Sequence, residues 1–231
     1  KETESLVRLI RHCCETYYPD ALDEDLAVMT PALLHRITVE TARMVAQWMA
    51  TGFVHGVMNT DNFNITGESF DYGPWRFLPH SDPNFTAAYF DQQGLYRFGR
   101  QPTQGLWALQ QLAVALTPVC DTDPLGEALQ AYEPAYQEAL AGHNLKLFGL
   151  ESTGDLSEDL RFLQALYTWM SETEAPWPQV FFDWFCGRES EARARKSPIA
   201  AQYDTPAFAP VRGALMERPP VRPERLAHSY W

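Results

Sequence analysis

The sequence predicts a mainly α-helical fold carrying one small β-hairpin, and three features point there. Apolar residues recur at three- and four-residue spacing in several separate segments. Helix-starting and helix-stopping residues bound those segments. A single stretch, residues 53–75, replaces that spacing with Asn, Asp and Gly among alternating apolar residues, the pattern of a loop plus a short hairpin.

The composition supports a folded, soluble chain. Its 231 residues are 45% hydrophobic and 13% aromatic, and a chain of this size buries roughly 70% of its unfolded surface. Thirty acidic against 18 basic residues give a net charge of -12, which opposes unaided binding to a nucleic-acid backbone. No run reaches the roughly 18 apolar residues of a membrane span, and the first 15 residues hold no signal-peptide core. A cytoplasmic setting is the simplest expectation. Cys13 and Cys14 are neighbours while Cys120 and Cys186 stand alone, which suits neither a disulfide framework nor metal-ligand spacing.

The elements follow in order. Leu6, Leu9, Ile10, Cys13 and Tyr17 make one face of a first helix, directly after Lys1. The absence of a leading Met and this immediate start suggest a piece of something longer. Thr30-Pro31 offers an N-cap with proline at the first helical position. A second helix then runs through Leu34, Ile37, Thr41, Met44, Val45 and Trp48 to a stop at Thr51-Gly52. Helical spacing returns at Leu106, Leu109, Leu112, Ala113 and Leu116. Asp123-Pro124 opens a further helix through Leu125 to Leu140, which Pro134 should kink or interrupt. Asp155 with Glu158 resembles a capping box ahead of Leu160, Leu163, Leu166, Tyr167 and Met170. Trp177, Phe181, Phe182, Trp184 and Phe185 form a last buried segment, and Trp48, Trp107, Trp169, Trp177 and Trp184 read as core aromatics. Residues 187–231 hold six of the 17 prolines and eight basic against five acidic residues. This basic, Pro-rich segment should be extended or irregular, set apart from a domain spanning residues 1–186.

The chemistry concentrates in His55-Gly56-Val57-Met58-Asn59-Thr60-Asp61-Asn62 and the residues that follow it, through Asp71-Tyr72-Gly73-Pro74. With Thr66-Gly67 as a two-residue hairpin turn, Ile65 pairs with Glu68, Phe63 with Phe70, and Asn62 with Asp71. Opposed residues carry their Cβ atoms about 4.5 to 5.5 Å apart on one face. Asn62 and Asp71 could then share a hard divalent cation, which takes oxygen ligands and keeps waters or phosphates elsewhere. Magnesium with a nucleotide is the natural candidate. Phe63 and Phe70 would anchor the other face to the helical core. Asp61 stands where a carboxylate could accept a proton from an attacking hydroxyl. His55 reads as a brace for the backbone, and Ser69 as a strand residue with no triad around it.

The spacing from His55 to Asn62 resembles a kinase catalytic loop, and Asp71-Tyr72-Gly73 resembles the magnesium-binding D-F-G element. Val57 stands where a kinase carries its catalytic Asp. The combination H-G-V-M-N-T-D-N with D-Y-G-P closely resembles the SelO/YdiU family of protein adenylyltransferases. The likeness continues through Asp82-Pro83, Asp91, Gly94, Tyr96 and Gln101-Pro102 and covers roughly residues 1–150.

The resemblance implies a protein-kinase-like fold of which this chain is the C-terminal lobe. It also implies ATP as substrate, Mg2+ or Mn2+ as cofactor, and transfer of AMP to Ser, Thr or Tyr hydroxyls of proteins. By the same resemblance Asp61 becomes the proton acceptor, Asn62 and Asp71 the metal ligands, and Asp71 a neighbour of the nucleotide phosphates. A mitochondrial setting is implied should the source be eukaryotic. The Gly-rich loop, strand lysine and phosphate-gripping arginines of the family have no counterpart before His55, so a partner lobe of the same protein is expected and this chain alone should be inactive. Leu95 stands where the family carries Arg. Two other readings stay open: a non-catalytic lobe acting as a binding module, and a phosphotransferase, against which Val57 speaks.

Overall fold

Helices carry most of the computed structural model, which describes residues 2–227; Lys1 and residues 228–231 of the Pro-rich segment lie outside the described residues. The first helix, α1 (Glu2–Tyr17), buries Ile10 and Cys14, with Leu6 and Cys13 packed beside them. Leu9 and Tyr17, expected on the same face, are more than half exposed. Only the edge of that face nearer Cys14 turns toward the core.

Helix α2 (Leu26–Thr51) begins four residues before the expected cap. Asp25 is the true N-cap, its carboxylate accepting the Ala27 N–H at 2.9 Å. Pro31 sits inside the helix, where it forgoes one intrahelical hydrogen bond. Gly52 ends α2 at φ 69°, as its position suggested. Thirteen α2 residues are buried, and after its first turn only a stripe through His35, Arg36, Arg43 and Gln47 faces out, so this helix forms the axis of the fold.

Around that axis pack α3 (Gln101–Leu116), α4 (Thr122–Leu129) and α5 (Tyr132–Phe148). The helix expected to run through Pro134 is two helices. The break falls at residues 130–131 and Pro134 lies in the first turn of α5, where its missing N–H costs nothing. Next comes α6 (Leu156–Thr173), capped by the Asp155 carboxylate on Ser157 N–H at 2.8 Å, and then α7 (Trp177–Asp183). Four of the five tryptophans named above are buried; Trp107 is 43% exposed and lies outside the core.

The expectation of an extended or irregular tail is corrected. Residues 187–227 wind into short helices: α8 (Glu191–Ala194), α9 (Ala200–Tyr203), α10 (Ala209–Glu217) and several single 3-10 turns. Tyr203, Phe208, Val211 and Leu215 join Phe162, Leu166 and Trp169 in one apolar cluster that runs across residue 186. A buried ion pair, Arg218 to Asp159 at 2.8 Å, fastens the tail to the first turn of α6. Prolines open these short helices as readily as they end them, which is why their number misled.

The β structure is slight. Strands β1 (Phe53–Val54) and β2 (Arg76–Phe77) pair antiparallel, Phe53 with Phe77 and Val54 with Arg76. They close the neck of the loop that holds the candidate site. No helix among the described residues is long and apolar enough to cross a membrane.

Candidate active site

The loop between β1 and β2 is held from behind by buried polar groups. His55 follows β1 and is 1% exposed. Its backbone N–H donates to Gln101 Oε1 at 2.9 Å, while Gln101 Nε2 donates to the Phe53 carbonyl at 2.9 Å. One buried amide from the start of α3 therefore grips both sides of the chain as it leaves the strand. Gly56 follows at φ 85°, and a Cβ there would stand 3.0 Å from both Pro74 and Ala87. Glycine lets the segments after Asp71 close over the loop.

Residues Thr60–Asn62 form a single 3-10 turn. Asp61 is exposed, and Asn62 is 5% exposed. Asn62 Nδ2 donates to the Val57 carbonyl at 2.9 Å, which orients the amide and leaves Oδ1 as its acceptor atom. The side chain of Val57 takes no polar role; its backbone does, accepting from Asn62 and donating to His55 Nδ1 at 3.3 Å. Asn59 Oδ1 accepts from the Tyr96 hydroxyl at 2.5 Å. Burial first, then the Asp91 and Asp61 carboxylates, push the Tyr96 phenol upward, so it stays a donor.

The expected hairpin register is corrected by one residue. Phe63 bridges Ser69, not Phe70, and Asn64 N–H donates to the Glu68 carbonyl at 2.9 Å. The turn has three residues, Ile65-Thr66-Gly67, with Gly67 left-handed at φ 75° and donating to the Asn64 carbonyl. A Cβ on Gly67 would stand 2.8 Å from the Glu40 carbonyl of α2, so the tip lies directly against that helix. A slip of one residue exchanges the faces. Phe63 packs inward, Phe70 is 50% exposed, and Asn62 and Asp71 are not an opposed ladder pair.

Ser69 gains a role in the same shift. Its hydroxyl donates to the Asn62 carbonyl at 2.6 Å and lies 2.9 Å from His55 Nε2. A Ser–His contact does exist, but its proton is committed to the backbone and its histidine is buried, so it braces the loop. Asp71 is exposed and left-handed at φ 59°, a conformation that Asp tolerates better than most side chains. Its carboxylate acts on His55: burial lowers the imidazole pKa, and Asp71 opposes that shift. The donor set suits a hard cation, since an oriented amide oxygen and an exposed carboxylate are oxygen ligands.

Asn59, Ser69, Gln101 and Gln104, the last donating to the Met58 carbonyl at 3.4 Å, were assigned no part by sequence reasoning. Gln101 and Tyr96 fell within the family-like stretch, which was the available signal. Asp91 also lies there: its carboxylate accepts from the N–H groups of Leu95 and Tyr96 at 2.7 and 2.8 Å. That turn needs only the backbone at 95, so Leu in place of Arg leaves it intact.

The loop is thus braced from behind by Gln101 and carries two exposed carboxylates, Asp61 and Asp71. Three proteins named "Protein nucleotidyltransferase YdiU" are similar to this chain. The one from Synechocystis sp. is 48% identical over 58% of this chain and 28% of its own length. Those from Marinomonas sp. and Trichodesmium erythraeum are 40% and 33% identical, over 77% and 89% of this chain and 36% and 44% of their own lengths. The family described as "Protein adenylyltransferase SelO" matches residues 1–210, and the chain belongs to that family. The chain spans less than half the length of these relatives.

Proposed function

We propose that this chain supplies the metal-binding and proton-accepting half of a protein adenylyltransferase with a kinase-like fold, in which it forms the C-terminal lobe. ATP is the donor, and Ser, Thr or Tyr hydroxyls of proteins are the acceptors. The observation that carries the reading is the orientation of Asn62: its Nδ2 is committed to Val57, so Oδ1 is offered, with the exposed Asp71 carboxylate on the loop that follows.

Asn62 and Asp71 would hold Mg2+ or Mn2+, which when bound supplies positive charge to the triphosphate oxygens. Asp61 accepts the proton of the acceptor hydroxyl. The hydroxyl oxygen forms a bond to the α-phosphorus, the bond from that phosphorus to the β-bridging oxygen breaks, and pyrophosphate leaves. Val57 in the kinase base position fits AMP transfer better than γ-phosphoryl transfer, because it can neither accept a proton nor orient a hydroxyl. Since the relatives are more than twice as long, residues 1–231 alone should be inactive, the rest of the nucleotide site lying in a partner lobe.

The test uses a polypeptide that carries residues 1–231 joined to whatever its gene encodes beside them. Label transferred to protein from [α-32P]ATP supports the proposal. Label transferred only from [γ-32P]ATP makes the protein a phosphotransferase and sinks it.

A further inference from the structure

Away from the candidate active site, a cavity of about 520 Å3 lies between the ends of α2 and α5 and the segment after α10. Its size is within the usual range of small-ligand sites. Its apolar wall includes Leu150 and Phe185, and four basic side chains line it: His143, Lys146, Arg222 and Arg225. No Asp or Glu does. In a chain of net charge -12 that combination is unexpected. Lys146 and Arg161 are the only Lys or Arg between Arg100 and Arg188, and the fold brings Lys146 to the same cavity as two tail arginines.

The cavity is built rather than left over. Gly149 caps α5 at φ 63°, and a Cβ there would strike the Phe185 ring at 2.7 Å, so glycine is what admits that ring. The tail is laced to this wall by backbone hydrogen bonds, Glu151 N–H to the Pro219 carbonyl at 3.0 Å and Val221 N–H to the Gly149 carbonyl at 2.8 Å. Lys146 and Arg222 are exposed, and neither forms an ion pair among the described residues. Burial and then the Lys146 charge hold the His143 imidazole below its usual pKa. An anion beside these groups would relieve that crowding of positive charge.

We propose that this cavity binds a single-tailed anionic amphiphile, its alkyl chain against Leu150 and Phe185 and its carboxylate or phosphate head between Lys146 and Arg222. Such a ligand would tie the tail to α5.

Calorimetric titration of the protein with octanoate, octyl phosphate, octanol and inorganic phosphate tests it. The expected result is saturable one-to-one binding of octanoate or octyl phosphate, the stronger of the two identifying the head group. Octanol and inorganic phosphate should each bind at least about tenfold more weakly, and Lys146→Gln with Arg222→Gln should weaken the amphiphile about tenfold, as loss of charge-assisted contacts implies. Both changed side chains are exposed, and circular dichroism checks that the variant is folded. The octanol comparison needs no variant at all. Absence of saturable binding, octanol binding as tightly as the anions, or a folded double variant that binds like the parent would each overturn the assignment.

Discussion

Ser69 Oγ stands 2.6 Å from the carbonyl oxygen of Asn62, and its single proton goes to that carbonyl. His55 Nε2, 2.9 Å from the same hydroxyl, must then be a donor, which leaves Nδ1 to accept from Val57 N–H at 3.3 Å. Proton counting fixes the buried imidazole as the neutral Nε2–H tautomer. The chain of contacts runs from Val57 through His55 and Ser69 to Asn62, joining the two ends of the candidate loop.

Replacing Ser69 by Ala removes the middle of that chain. The loss should be about 1 to 3 kcal/mol of stability, the cost of leaving partly buried groups unpaired, read by urea denaturation. Nucleotidyl transfer by the whole protein should fall in kcat more than in KM for ATP, because the loop would still form but place Asp61 and Asn62 less well.

Acid should weaken the fold through His55. Unfolded, its imidazole titrates near 6.5; folded, burial places its pKa lower, with the Phe70 backbone and then Asp71 opposing. Between the two values the unfolded chain binds more protons, so this stabilisation is complete above about pH 6.5 and is lost as pH falls through the folded pKa. His143 shifts the same way. The measurement is therefore comparative: from pH 7.5 to 5, the native protein should lose more unfolding free energy than His55→Gln does.

Gln101→Ala should be among the most damaging single changes near the loop. It orphans the Phe53 carbonyl and the His55 N–H, each bonded at 2.9 Å, the second in a buried and the first in a part-buried setting. A loss of about 2 to 4 kcal/mol is expected in chemical denaturation. Gln104→Ala, whose contact with the Met58 carbonyl is 3.4 Å long, should cost less.

The tail offers a separate test. Arg218 and Asp159 are each 3% exposed in their side chains and paired at 2.8 Å. Arg218→Ala leaves the buried Asp159 carboxylate with the Ser152 hydroxyl but no compensating charge and should cost about 3 to 5 kcal/mol, whereas replacing both partners by apolar residues should cost much less. Thermal denaturation of the two variants would separate them.

The sequence made the helices legible wherever apolar periodicity ran long, as in α2, α3 and α6. It misplaced boundaries where local chemistry competed. Asp25 caps α2 ahead of the more conspicuous Thr30-Pro31, and α5 places Pro134 in its first turn instead of kinking at it. Motif spacing singles out Asp61, Asn62 and Asp71 as candidates, while the hairpin geometry offered in their support does not hold. One extra residue in the turn, with Gly67 left-handed, moved Phe70 to the surface and left Asn62 and Asp71 out of register. The bracing by Ser69, Gln101 and Tyr96 arises between segments 14 to 46 residues apart. Local pattern reading does not reach that far.

The central claim is that Asp71 and Asn62 hold a divalent cation for nucleotide chemistry. Paramagnetic resonance of Mn2+ titrated with ATP into the whole protein tests it most directly, comparing the native sequence with Asp71→Asn, which keeps a residue tolerant of φ 59°. One ATP-dependent Mn2+ site, lost or weakened more than about tenfold in the variant, is the result expected. Equal Mn2+ binding by native and variant proteins would contradict the assignment.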